Sequence, residues 1–216
     1  MATFGGVLGS SLYSYKCNFY TCASGFSNPT NGLLISDCKQ CSPGKYSSKG
    51  SASCTNCQPG SYSGVGRGNC TLCQTGKYAE SNGTITCDDC STGKFLPQEG
   101  AQSQYNCKNC AAGTYGPTTG ASACQNCTVG KFSPEMSSDC IPCSAGWYSS
   151  SNASATCMMC QIGKYTDARG SSSCKTCDQG TYTNDEGEGG EESSTSRVKS
   201  YTSPTFPARR RLFRLR

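Results

Sequence analysis

Residues 54–78, CTNCQPGSYSGVGRGNCTLCQTGKY, contain the same phrase twice. Two cysteines separated by two residues are followed, three residues after the second cysteine, by a glycine and then, two residues further, by a tyrosine. The phrase C-x2-C-x2-G-x-[YF] recurs along most of the chain, and successive cysteine pairs start 16, 16, 17, 20, 17, 16, 17 and 17 residues apart. A short period of this kind indicates a tandem repeat protein.

Cysteine accounts for 20 of the 216 residues. Leu, Ile, Val and Phe together make up only about a tenth of the chain, which is too little for the cores of ordinary domains. Abundant cysteine with few apolar residues is typical of scaffolds held by disulfides, which persist in oxidising compartments. We therefore predict disulfide bonds at Cys17, Cys22, Cys38, Cys41, Cys54, Cys57, Cys70, Cys73, Cys87, Cys90, Cys107, Cys110, Cys124, Cys127, Cys140, Cys143, Cys157, Cys160, Cys174 and Cys177.

Within each repeat, the first glycine is expected in a turn with positive φ, because a residue with a Cβ is strained there. The aromatic residue is predicted to pack near the disulfide as the only sizeable apolar group of the unit. A second glycine indicates a return turn four residues before the next pair, at Gly50, Gly83, Gly120 and Gly170. The pattern is broken by Phe26, which comes one residue early, by an insertion after Gly100, and by Met136 in place of the return glycine.

These features predict a small disulfide-rich fold, an elongated tandem array of short β-hairpin and loop modules with little or no helix. We place the array at residues 17–182, as five four-cysteine modules that each contact mainly their neighbours. Residues 1–16 form an N-terminal segment with no clear signal peptide. Residues 183–216, acidic and then basic, are predicted to be disordered. No 18-residue apolar run is present, so no membrane span is predicted.

The repeated phrase resembles the ephrin-receptor-like cysteine-rich repeats, and more distantly the tumour necrosis factor receptor modules. The resemblance covers Cys17 to Tyr182 and rests on the agreement of cysteine, glycine and aromatic positions in successive units. It implies an extracellular or cell-surface protein. It does not extend to the ligand-binding domain or the kinase of the receptors, so neither ephrin binding nor kinase activity is implied.

The sequence leaves two disulfide arrangements open. If the second cysteine of each pair joins the first of the next, as in Cys41–Cys54, then Cys17 and Cys177 are left over. If alternate pairs cross-link first to third and second to fourth, all 20 cysteines are used. The resemblance implies this second arrangement. We therefore predict Cys54–Cys70 and Cys57–Cys73, with the same pattern beginning at Cys17, Cys87, Cys124 and Cys157.

Zinc is the alternative to disulfides, because C-x2-C pairs 12 or 13 residues apart approach zinc-ribbon spacing. That alternative describes an intracellular repeat protein with four-cysteine zinc sites that contacts nucleic acid. A zinc knuckle, however, usually has its glycine immediately after the second cysteine, and the positive charge of the repeats is spread evenly, which does not favour a phosphate-binding stripe. The chain has no histidine and no sign of a pocket for its carboxylates, so we predict no enzyme, no cofactor and no metal.

Four N-x-[ST] sequons, at Asn69, Asn82, Asn126 and Asn152, would be exposed glycosylation sites in a secreted chain. Asn69 and Asn126 each precede a cysteine, where cross-linking competes with glycosylation, so Asn82 and Asn152 are the better candidates. The function predicted is an extracellular or cell-surface structural or interaction protein that serves adhesion, spacing or ligand display. Its partner would be a protein or glycan, not nucleic acid. A fragment with no function of its own is the remaining possibility.

Overall fold

The computed structural model describes residues 21–30, 34–179, 181–183, 186–187 and 199–200. Each described strand is two residues long and pairs with its neighbour along the chain, which gives ten two-stranded sheets in this part of the molecule. The strands are β1 Phe26–Ser27, β2 Lys39–Gln40, β3 Lys45–Tyr46, β4 Thr55–Asn56, β5 Ser61–Tyr62, β6 Thr71–Leu72, β7 Lys77–Tyr78, β8 Asp88–Asp89, β9 Lys94–Phe95, β10 Lys108–Asn109, β11 Thr114–Tyr115, β12 Gln125–Asn126, β13 Lys131–Phe132, β14 Ile141–Pro142, β15 Trp147–Tyr148, β16 Met158–Met159, β17 Lys164–Tyr165, β18 Lys175–Thr176, β19 Thr181–Tyr182 and β20 Lys199–Ser200.

Helix is confined to two 3-10 turns in the described ranges, Ile35–Asp37 and Gln104–Asn106. The second turn accommodates the insertion that follows Gly100. The predicted fold class, a small disulfide-rich tandem array of hairpins with little helix, is confirmed. Part of the segment predicted to be disordered forms a strand, because β20 pairs with β19 through Thr181↔Ser200 and Tyr182↔Lys199.

Nine disulfides each join the second cysteine of one pair to the first cysteine of the next. They are Cys22–Cys38, Cys41–Cys54, Cys57–Cys70, Cys73–Cys87, Cys90–Cys107, Cys110–Cys124, Cys127–Cys140, Cys143–Cys157 and Cys160–Cys174. The predicted Cys54–Cys70 and Cys57–Cys73 bonds, and the same pattern started at Cys87, Cys124 and Cys157, are therefore wrong. The Cys22–Cys41 bond of the pattern predicted to begin at Cys17 is wrong as well. The bond pattern defines a repeat with one disulfide, not a module with two.

Strand pairing explains this connectivity. The two residues between the cysteines of a pair form the second strand of the preceding hairpin, as in the Tyr46↔Thr55 and Lys45↔Asn56 register of β3 and β4. Cys54 directly precedes β4, and Cys41 Sγ lies 3.3 Å from the Oγ of Ser47, which directly follows β3. The hairpin thereby brings the two cysteines together, with their Cα atoms 5.7 Å apart, within the usual range for a disulfide. The arrangement that uses all 20 cysteines does not occur, because Cys177 has a free thiol. Cys17 lies outside the described residues.

The described residues form two compact units. One contains the described residues up to Ser91 with Phe95–Lys108 and Thr119–Ala123, and the other contains Thr92–Lys94, Asn109–Thr118 and the described residues from Cys124 onward. Backbone hydrogen bonds link consecutive repeats within each unit. In the first unit, the Gly44 N–H donates to the Ser63 carbonyl at 2.8 Å, and in the second unit Gly113 N–H donates to the Ser133 carbonyl at 2.8 Å.

Within each unit, the buried residues are cysteines and mostly small side chains. The residue immediately after the aromatic is buried in nearly every repeat: Ser47, Ser63, Ala79, Leu96, Gly116, Ser133, Ser149, Thr166 and Thr183. The hydroxyl at this position bonds to the preceding repeat in Ser63, whose Oγ donates to the Lys45 carbonyl at 3.0 Å, and in Ser133, whose Oγ donates to the Thr114 carbonyl at 2.9 Å. Ser149 Oγ bonds instead within its own repeat, to the Ser151 carbonyl at 3.1 Å and to Ser154 Oγ at 2.6 Å. The buried polar groups are thus satisfied, as burial requires.

Repeats also pack against the next repeat but one. Gly76 has φ +83°, and a Cβ there would lie 1.9 Å from the carbonyl oxygen of Gly120, two repeats further along. The predicted positive φ of the first glycine is confirmed, but the prediction that repeats contact mainly their neighbours omitted this second layer of contacts. Return turns adopt positive φ even without glycine, with 63° at Met136 and 56° at Ala153.

Trypsin should separate the array at the bonds that no disulfide crosses, which lie between the two cysteines of a pair. Lys39, Lys108 and Lys175 occupy such positions. An unreduced digest, with thiols blocked, is expected to contain peptides 109–131, 132–164 and 170–175 as one disulfide-bonded assembly, identified by mass spectrometry. Lys108→Gln should leave this assembly bonded to the peptide that carries Cys90. Finding that peptide attached without the substitution would instead support the crossed pairing.

Candidate interaction surface

The aromatic residues lie at the hairpin surface and not in the interior. Tyr46 and Tyr78 are half-buried, whereas the residues that follow them, Ser47 and Ala79, are 2% and 0% exposed. The prediction that the aromatic packs near a disulfide holds at Tyr78, which packs against the buried cluster that contains the Cys90–Cys107 bond, but the ring is not the buried group of its unit. Side chains alternate along a strand, so the small residue after the ring points to the interior while part of the ring meets solvent.

The partner across the hairpin from each ring changes from repeat to repeat. The ring faces the first residue between the next two cysteines, and this partner is polar in Tyr46↔Thr55, acidic in Tyr78↔Asp88 and apolar in Tyr148↔Met158. Residues directly opposite on an antiparallel pair are close enough to act together. Each repeat therefore offers an aromatic ring beside a different chemical group.

Two exposed ion pairs lie on this surface. Lys77 Nζ lies 2.5 Å from Asp89 Oδ1 across β7 and β8, and Lys175 Nζ lies 3.0 Å from Asp167 Oδ1. The hydrogen bond from Lys175 lowers the pKa of Asp167. Loss of solvent raises the pKa of Tyr78, and the charges of Asp88 and Glu80 raise it further. Exposed pairs of this kind contribute little to stability.

The 3-10 turn Gln104–Asn106 presents the most exposed large hydrophobic side chain among the described residues. Tyr105 is 88% exposed. The turn is held by a capping box and by Glu80, whose Oε1 accepts hydrogen bonds from Ser103 Oγ at 3.1 Å and from the Gln104 N–H at 2.8 Å. The sequence showed an insertion here but gave no signal that it was ordered.

All four sequon asparagines are exposed. Asn82 and Asn152 lie in turns, Asn69 lies at a bend before Cys70, and Asn126 lies in β12, where it pairs with Thr114. The side-chain oxygen of Asn152 accepts a hydrogen bond from the Val129 N–H at 3.1 Å. That contact uses the amide oxygen and leaves Nδ2, the atom to which a glycan is attached, turned away from this bond.

The structure does not support the zinc alternative. Eighteen cysteines are oxidised in disulfides, and zinc requires thiolates. Among the described residues, no cluster of three or more His, Cys, Asp or Glu side chains could hold a metal ion. None of the helices in this part of the chain is long and apolar enough to cross a bilayer.

Comparison with known families agrees with the repeat geometry. The family model described as tyrosine-protein kinase ephrin type A/B receptor-like matches residues 60–107, 130–173 and 146–192, which together exceed half of the chain. The chain belongs to this family. The matched segments include complete disulfide-closed hairpins, such as the one closed by Cys73–Cys87. They confirm that the repeated C-x2-C-x2-G-x-[YF] phrase resembles the ephrin-receptor-like repeats. No curated protein matches the chain.

Proposed function

We propose that this ephrin-receptor-like array is an extracellular or cell-surface interaction protein, without enzymatic activity, that spaces or displays binding surfaces. The proposal rests on one contrast: the buried residues are nearly the same in every repeat, whereas the exposed residues differ. The interior repeats the same disulfide, buried small residue and backbone bonds, whereas the exposed positions opposite the rings change from Thr55 to Asp88 to Met158. Variable side chains on a constant scaffold are typical of binding surfaces.

The disulfides support an oxidising location. The interior contains few large apolar side chains, and a disulfide closing a loop of about 15 residues contributes roughly 3 kcal/mol, so each repeat depends on its bond. The partner proposed is a protein or glycan and not nucleic acid. Lys77 and Lys175 are paired with carboxylates and do not contribute to a free basic stripe.

Glycans at Asn82 and Asn152 are part of this proposal. Both side chains are exposed and lie in turns. Asn69 and Asn126 directly precede Cys70 and Cys127, which are both in disulfides. Bond formation at these cysteines competes with attachment of a glycan, so we expect lower occupancy there.

The test uses cells that make the protein. An antibody to the array should label intact, non-permeabilised cells or detect the chain in the medium. Peptide-N-glycosidase should lower its mass, with deamidation at Asn82 and Asn152 marking the former glycan sites. Labelling that requires permeabilisation, in a cytosolic pattern and with reactive thiols at the paired cysteines, would contradict the proposed location and function.

A further inference from the structure

In six of the described hairpins, one side chain supports the return turn of the next hairpin but one. It belongs to the second of the two residues between a cysteine pair, and a Cβ built on the return-turn glycine would lie within 4 Å of it. We call this side chain the turn support. The contacts are Gln40 with Gly66, Asn56 with Gly83, Leu72 with Gly100, Asp89 with Gly120, Pro142 with Gly170 and Met159 with Gly187.

Met159 differs from the other turn supports in its chemistry. Its Cγ and Sδ each lie 3.3 Å from the position that a Cβ would take on Gly187, so the sulfur lies against the return turn. The residue is 45% exposed, which leaves it open to small solutes. Among the six turn supports, only Met159 carries a sulfur that a peroxide can oxidise.

The hairpin that Met159 supports has no disulfide. Nine of the ten described hairpins are each closed by one bond, whereas β19–β20 follows the free thiol of Cys177. Its links to earlier repeats include the Gly187 N–H, which donates to the Cys160 carbonyl at 3.0 Å, and Thr183 Oγ1, which accepts from the Gly163 N–H at 2.9 Å. A two-stranded hairpin is marginal in water by itself, so β19–β20 depends on such contacts more than a hairpin with a disulfide does.

Polar turn supports occur elsewhere in the array. Gln40 contacts Gly66, but the hairpin that contains Gly66 is closed by Cys57–Cys70. A polar group at this position is therefore tolerated where the supported hairpin has a disulfide. At Met159 the supported hairpin lacks that bond, so no cross-link offsets a change from a thioether to a polar group.

Oxidation of Met159 proceeds by oxygen transfer. Hydrogen peroxide donates one oxygen atom to Sδ: an S–O bond forms, the O–O bond breaks, the sulfur loses two electrons and the second oxygen leaves as water. The sulfoxide is polar and is larger by one oxygen at the atom that lies against the turn. Water solvates the sulfoxide more strongly than the thioether, so the side chain is drawn away from Gly187 into solvent.

From these contacts we propose that Met159 is an oxidation site, at which a peroxide converts the turn support to the sulfoxide and loosens β19–β20. The hairpin then opens without reduction of any disulfide. Because exposed strand positions form the proposed binding surface, oxidation changes what this repeat presents to a partner. The oxidation site and its test do not depend on the proposed function.

The test treats the full chain with hydrogen peroxide in native buffer. Cys177→Ser is included throughout, so that the free thiol does not consume the oxidant. Peptide mapping measures the sulfoxide at each methionine, and hydrogen exchange measures the opening of each hairpin. We expect amide exchange in β19 and at Gly187 to rise about tenfold when Met159 is oxidised, while the disulfide-closed hairpins keep their rates.

Two variants separate Met159 from its neighbour. Met159→Leu keeps an apolar turn support, because Leu72 fills the equivalent position against Gly100, and it should make β19–β20 insensitive to peroxide. Met158→Leu is the matched control, since Met158 is 48% exposed on the same strand but faces the other side, opposite Tyr148. The Met158→Leu variant should remain as sensitive as the parent.

Three results would overturn the proposal. Unchanged exchange in β19–β20 after oxidation of Met159 would show that the return turn tolerates the sulfoxide. Equal sensitivity of the Met159→Leu variant would place the effect at another residue. A Met159 that stays reduced while Met158 is oxidised would show that the return turn shields the sulfur.

Discussion

Alanine at Gly76 is expected to lower the local free energy of unfolding by about 3–5 kcal/mol. Roughly 1–2 kcal/mol comes from holding a residue with a Cβ at positive φ. The remainder comes from overpacking, because the new Cβ would lie 1.9 Å from the oxygen and 2.4 Å from the carbon of the Gly120 carbonyl. Two backbones must move apart, which strains the bond from the Gly120 N–H to the Cys90 carbonyl at 2.8 Å.

Gly163→Ala is the matched control for this prediction. Gly163 has a similar φ of +80°, but no described atom lies within 4 Å of the position of its Cβ. Only the conformational cost of about 1–2 kcal/mol should remain. Native-state hydrogen exchange at the inter-repeat N–H groups measures both effects repeat by repeat. Equal losses in the two variants would show that contact with the next repeat but one contributes nothing.

Removing one disulfide as a pair, Cys57→Ser with Cys70→Ser, is expected to cost about 3 kcal/mol in the affected hairpin. No new thiol should appear, because these cysteines are bonded to each other. Cys54→Ser with Cys70→Ser should be more harmful, since it breaks two bonds and leaves Cys41 and Cys57 without their partners.

Alkylation in denaturant, followed by mass spectrometry, counts the thiols in each variant. The expected number above the parent is zero for the first variant and two for the second. Cys177→Ser controls for the loss of a cysteine by itself and should remove a thiol without destabilising a hairpin. The reverse pattern of thiol counts would restore the crossed arrangement.

The features that the sequence predicted correctly are those that repeat. The period, the glycine turns and the hairpin class all follow from the phrase around Gly60 and Tyr62. Pairing could not be read in this way, because Cys41 lies 13 residues before Cys54 and Cys70 lies 16 residues after it, and both separations suit a disulfide loop. The fold of the hairpin selects Cys41. Cysteine spacing reports a period but not which strands pair.

The interior was also misjudged, for a reason visible at Tyr46 and Ser47. A tyrosine is the obvious apolar group in a sparse sequence, and serine resembles a loop residue. In the structure Ser47 is 2% exposed and its Oγ donates to the Phe26 carbonyl at 3.0 Å. Ala153 is a similar case, because nothing in its side chain indicates the positive φ of 56° that the return turn imposes.

The disulfide pattern limits how far the chain can be stretched. A pulling force passes from Cys41 directly through sulfur to Cys54, across 5.7 Å between Cα atoms, and then along only two intervening residues to Cys57. An oxidised repeat, even with every hydrogen bond broken, therefore reaches about 16 Å, whereas a reduced repeat of 16 residues reaches about 56 Å. The oxidised array thus behaves mechanically as a tether of nearly fixed maximum length. The additional length of each repeat is released only when its disulfide is reduced.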